Sequence, residues 1–170
     1  MDTIFEMINQ KQINMVTLNQ IQDFLSVKKL AIAGASRNLQ KFGGVVFKEL
    51  SEKGFELYPV NPYADEIQGV KCYKSIEELP ADVEHLLILT PKFETESVAR
   101  SAVSKGIKMI WIQNGAETPE AVKIIERSDV SLISKKCIMM FAEPVKSVHG
   151  FHRFFVKTFG KYPKLIYSPN

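Results

Sequence analysis

The sequence predicts an α/β protein: a doubly wound, parallel, five-stranded sheet with helices on both faces. Two observations predict this class. Short apolar runs alternate along the chain with segments in which apolar residues recur at helical spacing, as expected of a parallel sheet covered by helices. The run at 85–90, HLLILT, lacks polar alternation, which indicates a strand buried on both faces.

Each element has its own signal in the sequence. The predicted strands are 30–33, 55–60, 85–90, 108–113 and 131–134. The predicted helices are 17–26, a segment with an apolar stripe at 45–50, a short helix near 75–80, 94–105 and 118–128. Thr17 and Thr118 are suitable helix N-caps, and Pro119 stands at a first helical position. Gly54 and Gly106 end two of the helices.

The length of the chain favours a single domain, 1–170. With 170 residues, of which 45% are hydrophobic, the chain can form one core that buries about 70% of the surface exposed by the unfolded chain. We expect the sheet to occupy about 27–140, after the helix at 17–26 and before a basic, aromatic tail at 141–170. Apolar residues of the first helix are expected to cover the sheet or to form a subunit contact in a homo-oligomer.

Charge and cysteine content exclude several classes of protein. A formal net charge of +3 is too small for a nucleic-acid-binding protein, although it suits a small anionic ligand. No window approaches the roughly 18 apolar residues of a membrane span. The two cysteines, Cys72 and Cys137, are too few for a disulfide framework. We therefore expect a cytoplasmic protein that binds a small molecule.

Candidate functional residues follow the predicted strands. In an open parallel sheet, ligands bind beyond the carboxyl ends of the strands, where the connections diverge to opposite faces. The segments at these positions are polar and contain glycine, proline and lysine: 34–37, 61–63, 90–92, 113–115 and 135–137. We expect the ligand to lie against this edge.

The first of these segments is suited to binding a phosphate. Gly34 permits a tight turn, and Ser36 supplies a hydroxyl. The N-terminus of the following helix directs amide groups and the positive end of its dipole outward. Arg37 or Lys41 is placed to pair with a phosphate oxygen. The sequence therefore predicts a phosphate-binding loop.

The same loop lacks a dinucleotide fingerprint. Ser36 and Leu39 occupy the second and third glycine positions of G-x-G-x-x-G. An NAD site also needs an acidic residue near the end of the second strand, where this chain has Val60, Asn61 and Pro62. An NADP site remains an alternative if Arg37 binds the 2'-phosphate.

Four short motifs together resemble the small stand-alone CoA-binding domain proteins, relatives of the N-terminal domain of the succinyl-CoA synthetase alpha chain. The motifs are Gly-Ala-Ser at 34–36, Pro-Val-Asn-Pro at 59–62, Trp-x-Gln-x-Gly at 111–115 and Lys-Lys-Cys-Ile-Met-Met at 135–140. The chain departs from the family's common pattern at Arg37–Asn38 and at Asn114.

The resemblance implies a Rossmann-like fold that binds coenzyme A or an acyl-CoA. The implied ligand-contacting residues are Gly34, Ala35, Ser36, Arg37, Lys41, Val60, Asn61, Pro62, Tyr63, Thr90, Pro91, Lys92, Asn114 and Gly115. The last two would lie along the pantetheine arm, and the others around the adenosine and its phosphates.

Groups for catalysis or metal binding are sparse. His85 begins a buried strand at the end opposite the ligand edge, so a structural role is expected. His149 and His152 have no identifiable third metal ligand nearby. Cys137 follows two lysines, which leaves two alternatives: an inert, buried thiol, or a mixed disulfide with the CoA thiol.

Three functions remain open. The favoured hypothesis is a CoA-binding or acyl-CoA-binding module, with a sensing role and no autonomous catalysis, since the sequence shows no matched nucleophile, base and orienting group. The alternative is an NADP-dependent oxidoreductase or redox-sensing domain. The third is an enzyme that acts on acyl-CoA with residues supplied by a partner.

Overall fold

A computed structural model describes residues 16–143 and Pro163. The strands are β1 (Lys29–Ala33), β2 (Glu56–Val60), β3 (Glu66–Ile67), β4 (Val70–Lys71), β5 (His85–Ile88), β6 (Met109–Gln113) and β7 (Ser131–Lys136). The α-helices are α1 (Leu18–Ser26), α2 (Phe42–Glu52), α3 (Lys92–Lys105) and α4 (Pro119–Glu126). Two 3-10 helices lie at Ile76–Glu78 and Ile138–Met140.

Five strands form one parallel sheet in the order β2-β1-β5-β6-β7. This arrangement confirms the predicted α/β, Rossmann-like fold. The chain moves from β1 to β2 on one side and then returns to β5 on the other side of β1. The connections after β1 and β5 therefore diverge, which makes the gap between these strand ends the topological switch point of the sheet.

Helices cover both faces of the sheet because side chains alternate along each strand. On β1, Leu30 and Ile32 belong to the core beneath α1 and α2. Ala31 and Ala33 belong to the opposite core, beneath α3 and α4. The helical residues buried in these two cores are Ile21, Phe24, Val46, Phe47 and Leu50 on the first face, and Ala99, Ala102, Ala121 and Ile125 on the second.

The residues predicted to cap or end helices do so in the structure. The Thr118 hydroxyl accepts a hydrogen bond from the Ala121 amide at 3.2 Å, with Pro119 at the first helical position. Gly106 ends α3 in the left-handed conformation, at φ 85°. Thr17 forms a reciprocal capping box with Gln20 at the start of α1.

Several element boundaries, and one hairpin, differ from the expectations. Helix α3 begins at Lys92, two residues early, because Pro91 acts as its N-cap without a side-chain hydrogen bond. Strand β7 continues through Lys135 and Lys136, since Lys136 pairs with Gln113 beyond a bulge in the β6–β7 ladder. The antiparallel hairpin β3–β4 was not predicted, because strands of two residues carry no periodicity.

The tail at 141–170 lies outside the described residues except for 141–143 and Pro163, and so do His149 and His152. Within the described part of the chain, no helix is long and apolar enough to cross a membrane.

His85 lies at the amino end of β5, on the sheet edge opposite the strands' carboxyl ends. It is 8% exposed, and its ring stacks on Phe24 with centroids 5.4 Å apart. Its Nδ1 atom is buried without a hydrogen-bond partner among the described residues. Burial lowers the pKa of His85 below its usual 6.5, because the charged form is poorly solvated there.

This burial predicts a loss of stability in mild acid. Near pH 7.5 both the folded and unfolded states hold a neutral His85. As the pH falls below 6.5, the unfolded state takes up a proton before the folded state does, and the free energy of unfolding decreases. Urea denaturation between pH 7.5 and 5 measures this slope. We expect a shallower slope for His85→Phe, and an unchanged slope would contradict the assignment.

Candidate functional site

A cavity of about 660 Å³ lies at the carboxyl ends of β1, β2 and β5, at the switch point of the sheet. Its volume is typical of small-molecule sites, which run from about 300 to 1,000 Å³. The lining consists of 33–36, 41–43, 60–63, 74–77, 89–91, Glu94, Ser97, Val98 and Ser101.

The floor of the cavity is formed by backbone segments in direct contact. Gly34 has a φ of 87°, and a β-carbon there would lie 2.8 Å from the carbonyl carbon of Leu89. A β-carbon on Gly43 would lie only 2.2 Å from the Gly34 carbonyl oxygen. Neither gap admits a side chain. Glycine at both positions therefore allows the end of β1, the start of α2 and the β5–α3 loop to meet.

This contact brings the N-terminus of α2 to the cavity. The N-cap is Lys41, and no side chain of the described residues caps the helix. Lys41, Phe42 and Gly43 line the cavity directly. The first-turn amides and the positive end of the helix dipole, with the Lys41 ammonium nearby, favour an anion at this end of the cavity.

Asn61 joins the loop after β2 to the loop after β1. Its Nδ2 group donates to the Ala35 carbonyl at 3.0 Å, and its Oδ1 atom accepts from the Tyr63 amide at 2.9 Å. The Ser36 hydroxyl oxygen accepts from the Asn38 amide at 3.1 Å, which leaves the Ser36 O–H able to donate elsewhere. These bonds hold two of the cavity walls in fixed relative positions.

The loop after β5 is held by two threonines. Thr90 is 5% exposed and Thr95 is fully buried, and their hydroxyl oxygens lie 3.2 Å apart. The Thr95 hydroxyl also donates to the Pro91 carbonyl at 3.3 Å. The Thr90 side chain is therefore committed to the loop itself.

The remaining wall comes from residues that the sequence analysis missed. Tyr73 forms a parallel bridge with Val60, which brings residues 74–77 beside the end of β2. The Lys74 ammonium donates to the Ala64 carbonyl at 3.0 Å and to Asp65 at 2.6 Å. No local pattern in the sequence marks this wall, because residues 74–77 reach the cavity only through the pairing of Tyr73 with Val60.

Charged groups around the cavity interact across loops. Lys74, and more weakly Arg37, lower the pKa of Asp65 below its usual range because both are cations. The Ser101 hydroxyl, the Glu77 backbone amide and the Ser75 hydroxyl lower the pKa of Glu77 because these donors favour its charged form. The cavity therefore carries cations near the ends of β1 and β2, and the carboxylates of Glu77 and Glu94 at or beside α3.

Ten of the fourteen expected ligand-contacting residues line this one cavity: Gly34, Ala35, Ser36, Lys41, Val60, Asn61, Pro62, Tyr63, Thr90 and Pro91. Four lie outside the lining. Arg37 is exposed in the β1–α2 loop, and Lys92 is an exposed residue at the start of α3. Asn114 and Gly115 are exposed beyond the end of β6, where the Gly115 amide donates to Glu117 at 2.7 Å.

The cysteines do not line the cavity. Cys72 is buried, and burial raises the pKa of its thiol, which disfavours the reactive thiolate. Cys137 is partly buried and packs against the core beneath α1 and α2. Among the described residues, no group of three or more potential ligands forms a metal site.

The family model described as "CoA binding domain" matches residues 28–143. The chain is 32% identical over 126 residues to the alpha subunit of an ADP-forming acetate–CoA ligase II from Pyrococcus furiosus. That alignment covers 68% of this chain and 28% of the relative. The chain spans less than a third of the length of the archaeal acetate–CoA ligases that it matches (28%, 22% and 17%).

Two solved structures match over nearly their whole length. A conserved hypothetical protein from Pyrococcus furiosus is 43% identical, with a TM-score of 0.64, over 66% of this chain and 97% of that chain. A hypothetical protein from Pyrococcus horikoshii OT3 is 30% identical, with a TM-score of 0.72, over 76% of this chain and 92% of that chain.

The contact between Gly34 and Gly43 predicts that the substitution Gly43→Ala destabilises the protein. In an ordinary helix, Gly→Ala raises stability by about 0.5–1 kcal/mol. Here the added β-carbon would overlap the Gly34 carbonyl oxygen, and overpacking of this kind costs about 1–3 kcal/mol. We expect Gly43→Ala to lower the free energy of unfolding, as measured by urea denaturation.

A control separates the clash from helix propensity. Ser51 is exposed in the same helix, so Ser51→Ala is expected to leave stability unchanged or slightly raised. A Gly43→Ala protein more stable than wild type would show that the backbones are not in contact.

Proposed function

Because the chain belongs to the CoA-binding domain family, we propose that it binds coenzyme A or an acyl-CoA in the cavity at the ends of β1, β2 and β5. The supporting observation is the uncapped N-terminus of α2, which the Gly34–Gly43 contact brings to the floor of a cavity large enough for a nucleotide. When bound, CoA supplies a thiol that carries an acyl group as a thioester.

The residues around Gly34 fit the pyrophosphate of this ligand. Backbone amides of Ala35 and Ser36, and of Phe42 and Gly43 at the start of α2, would donate to the phosphate oxygens. The Ser36 hydroxyl would add a donor, since its oxygen already accepts from Asn38. Lys41 lines the cavity and would balance the negative charge, with Arg37 at the rim.

The adenosine would lie between the loops after β2 and β5. Val60, Pro62, Tyr63 and Pro91 offer largely apolar surface there, while Asn61 acts as a positioning residue through its bond to Ala35. Lys74 also lines the cavity beside the end of β2. We propose that its ammonium faces the ribose phosphate that distinguishes CoA from ADP.

The pantetheine arm would leave the cavity toward β6, the strand next to β5 in the sheet. Asn114 and Gly115 follow β6 and are exposed, so they would lie along this path rather than in the nucleotide cavity. Lys92, at the start of α3, would stand on the same side of the opening.

We propose binding, with a sensing role, and no turnover by this chain alone. No histidine or cysteine of the described residues lines the cavity, and its ionisable lining is Lys41, Tyr63, Lys74, Glu77 and Glu94. We propose that a reaction on the acyl group would depend on groups outside this lining. The activity named for the longer acetate–CoA ligases is therefore not proposed for this chain in isolation.

One observation favours NADP as a second candidate. Arg37 lies near enough to lower the pKa of Asp65, beyond the end of β2, which is the region where a cation would bind the 2'-phosphate of NADP. The chain would then serve as an oxidoreductase or redox-sensing domain.

Calorimetric titration of the full chain with CoA, acetyl-CoA and NADP+ distinguishes these candidates. We expect saturable binding of CoA and acetyl-CoA at one site, with a rise in melting temperature because ligand binds only the folded state. Binding of NADP+ without binding of CoA would reverse the proposal. A constant acetyl-CoA concentration during prolonged incubation is expected if the chain alone catalyses no hydrolysis.

Substitutions at the phosphate end test the proposed contacts. Ser36→Ala and Lys41→Ala should each weaken CoA binding by about 1–3 kcal/mol, the usual effect of losing a hydrogen bond to a charged group. Lys48 lies further along α2, where it pairs with Glu52 at 3.7 Å, so Lys48→Ala is a control for loss of one positive charge. Equal affinities for Lys41→Ala and Lys48→Ala would remove Lys41 from the site.

A further inference from the structure

The end of the cavity away from α2 is formed by the 3-10 helix Ile76–Glu78 and by α3. Ile76 is 3% exposed and belongs, with Val98 of α3, to the core on this face of the sheet. Both residues line the cavity. They extend toward α3 the apolar lining along which we place the adenosine, formed by Val60, Pro62, Tyr63 and Pro91. The base of a nucleotide in that position would direct its outer edge to this end, because its phosphates lie at the other.

Glu77, on the 3-10 helix, supplies a carboxylate at this end of the cavity, and Glu94 lies in the first turn of α3. Glu77 lines the cavity, and the Ser101 hydroxyl, its own backbone amide and the Ser75 hydroxyl lower the pKa of its carboxyl because they favour the charged form, so the group is ionised at neutral pH. The Lys105 ammonium donates to the Glu77 backbone carbonyl at 2.9 Å and fixes the turn. Glu77 is exposed, and an ionised carboxylate offers about four acceptor positions, so capacity for a further hydrogen bond remains beside the two serines and the amide.

The chemistry of the purines determines which base suits such an acceptor. Adenine presents an amino group at position 6, which donates, whereas guanine presents a carbonyl oxygen there, which accepts. A carboxylate facing position 6 therefore stabilises adenine and repels a 6-oxopurine. Blocking the amino group should remove this stabilisation and leave the phosphate contacts intact.

We propose that Glu77 selects the base of the bound nucleotide by accepting a hydrogen bond from the 6-amino group of adenine. This inference rests on the proposed binding of CoA. It assigns Glu77 a role in specificity that is independent of the phosphate contacts near Gly34 and Lys41.

The test compares CoA with 1,N6-etheno-CoA, in which the amino group is blocked, by calorimetric titration. Wild-type protein is expected to bind CoA about ten-fold more tightly, the effect of one hydrogen bond to a charged group. Glu77→Leu should weaken CoA binding about ten-fold, leave etheno-CoA binding unchanged and so abolish the preference. Glu77→Gln keeps an uncharged acceptor and should retain part of the preference for CoA that Glu77→Leu loses.

Glu96 provides a matched control. It lies on α3, outside the cavity lining, and pairs with Arg100 at 2.8 Å. Glu96→Leu removes one negative charge nearby and should retain the ten-fold preference. A preference that persists in Glu77→Leu, or an equal loss of affinity for both ligands, would overturn the inference alone. Failure of wild-type protein to bind either ligand would overturn the proposed function and this inference together.

Discussion

The architecture of the cavity depends on backbone contacts that exclude side chains. Gly34 approaches the Leu89 carbonyl and Gly43 approaches the Gly34 carbonyl, each too closely for a β-carbon. Three segments, the end of β1, the start of α2 and the β5–α3 loop, therefore meet directly at the switch point of the sheet. Because the contact is between backbones, the helix N-terminus is held at a fixed distance from the strand ends, whichever side chains surround it.

Much of this arrangement could be predicted from the sequence. Parallel strands buried on both faces appear as uninterrupted apolar runs, so β5 and β6 are evident without a structure. Gly34 and Ser36 directly follow the first strand, and the rule that ligands bind at the carboxyl edge assigns them to the site. Ten expected residues line the cavity for this reason: each ends or follows a recognisable strand, or directly precedes the helix after it.

The rest depends on tertiary pairing that local patterns do not encode. Residues 74–77 complete the cavity only because Tyr73 pairs with Val60, which lies thirteen positions earlier in the chain. Strands β3 and β4 have two residues each, too few for a periodic signal. The order of the strands in the sheet also cannot be predicted from the periodicity of the sequence. This order leaves Asn114 and Gly115 outside the cavity lining, because β5 separates β6 from β1.

The central claim is that the switch-point cavity binds CoA, and amide chemical shifts measured during a titration test it most directly. Two-dimensional NMR of the isotopically labelled full chain would follow each backbone N–H group as CoA is added. The account predicts the largest shifts at 34–36, in the first turn of α2 and in the loops after β2 and β5. Saturating shifts confined to another part of the sheet, or no shifts at millimolar CoA, would contradict it.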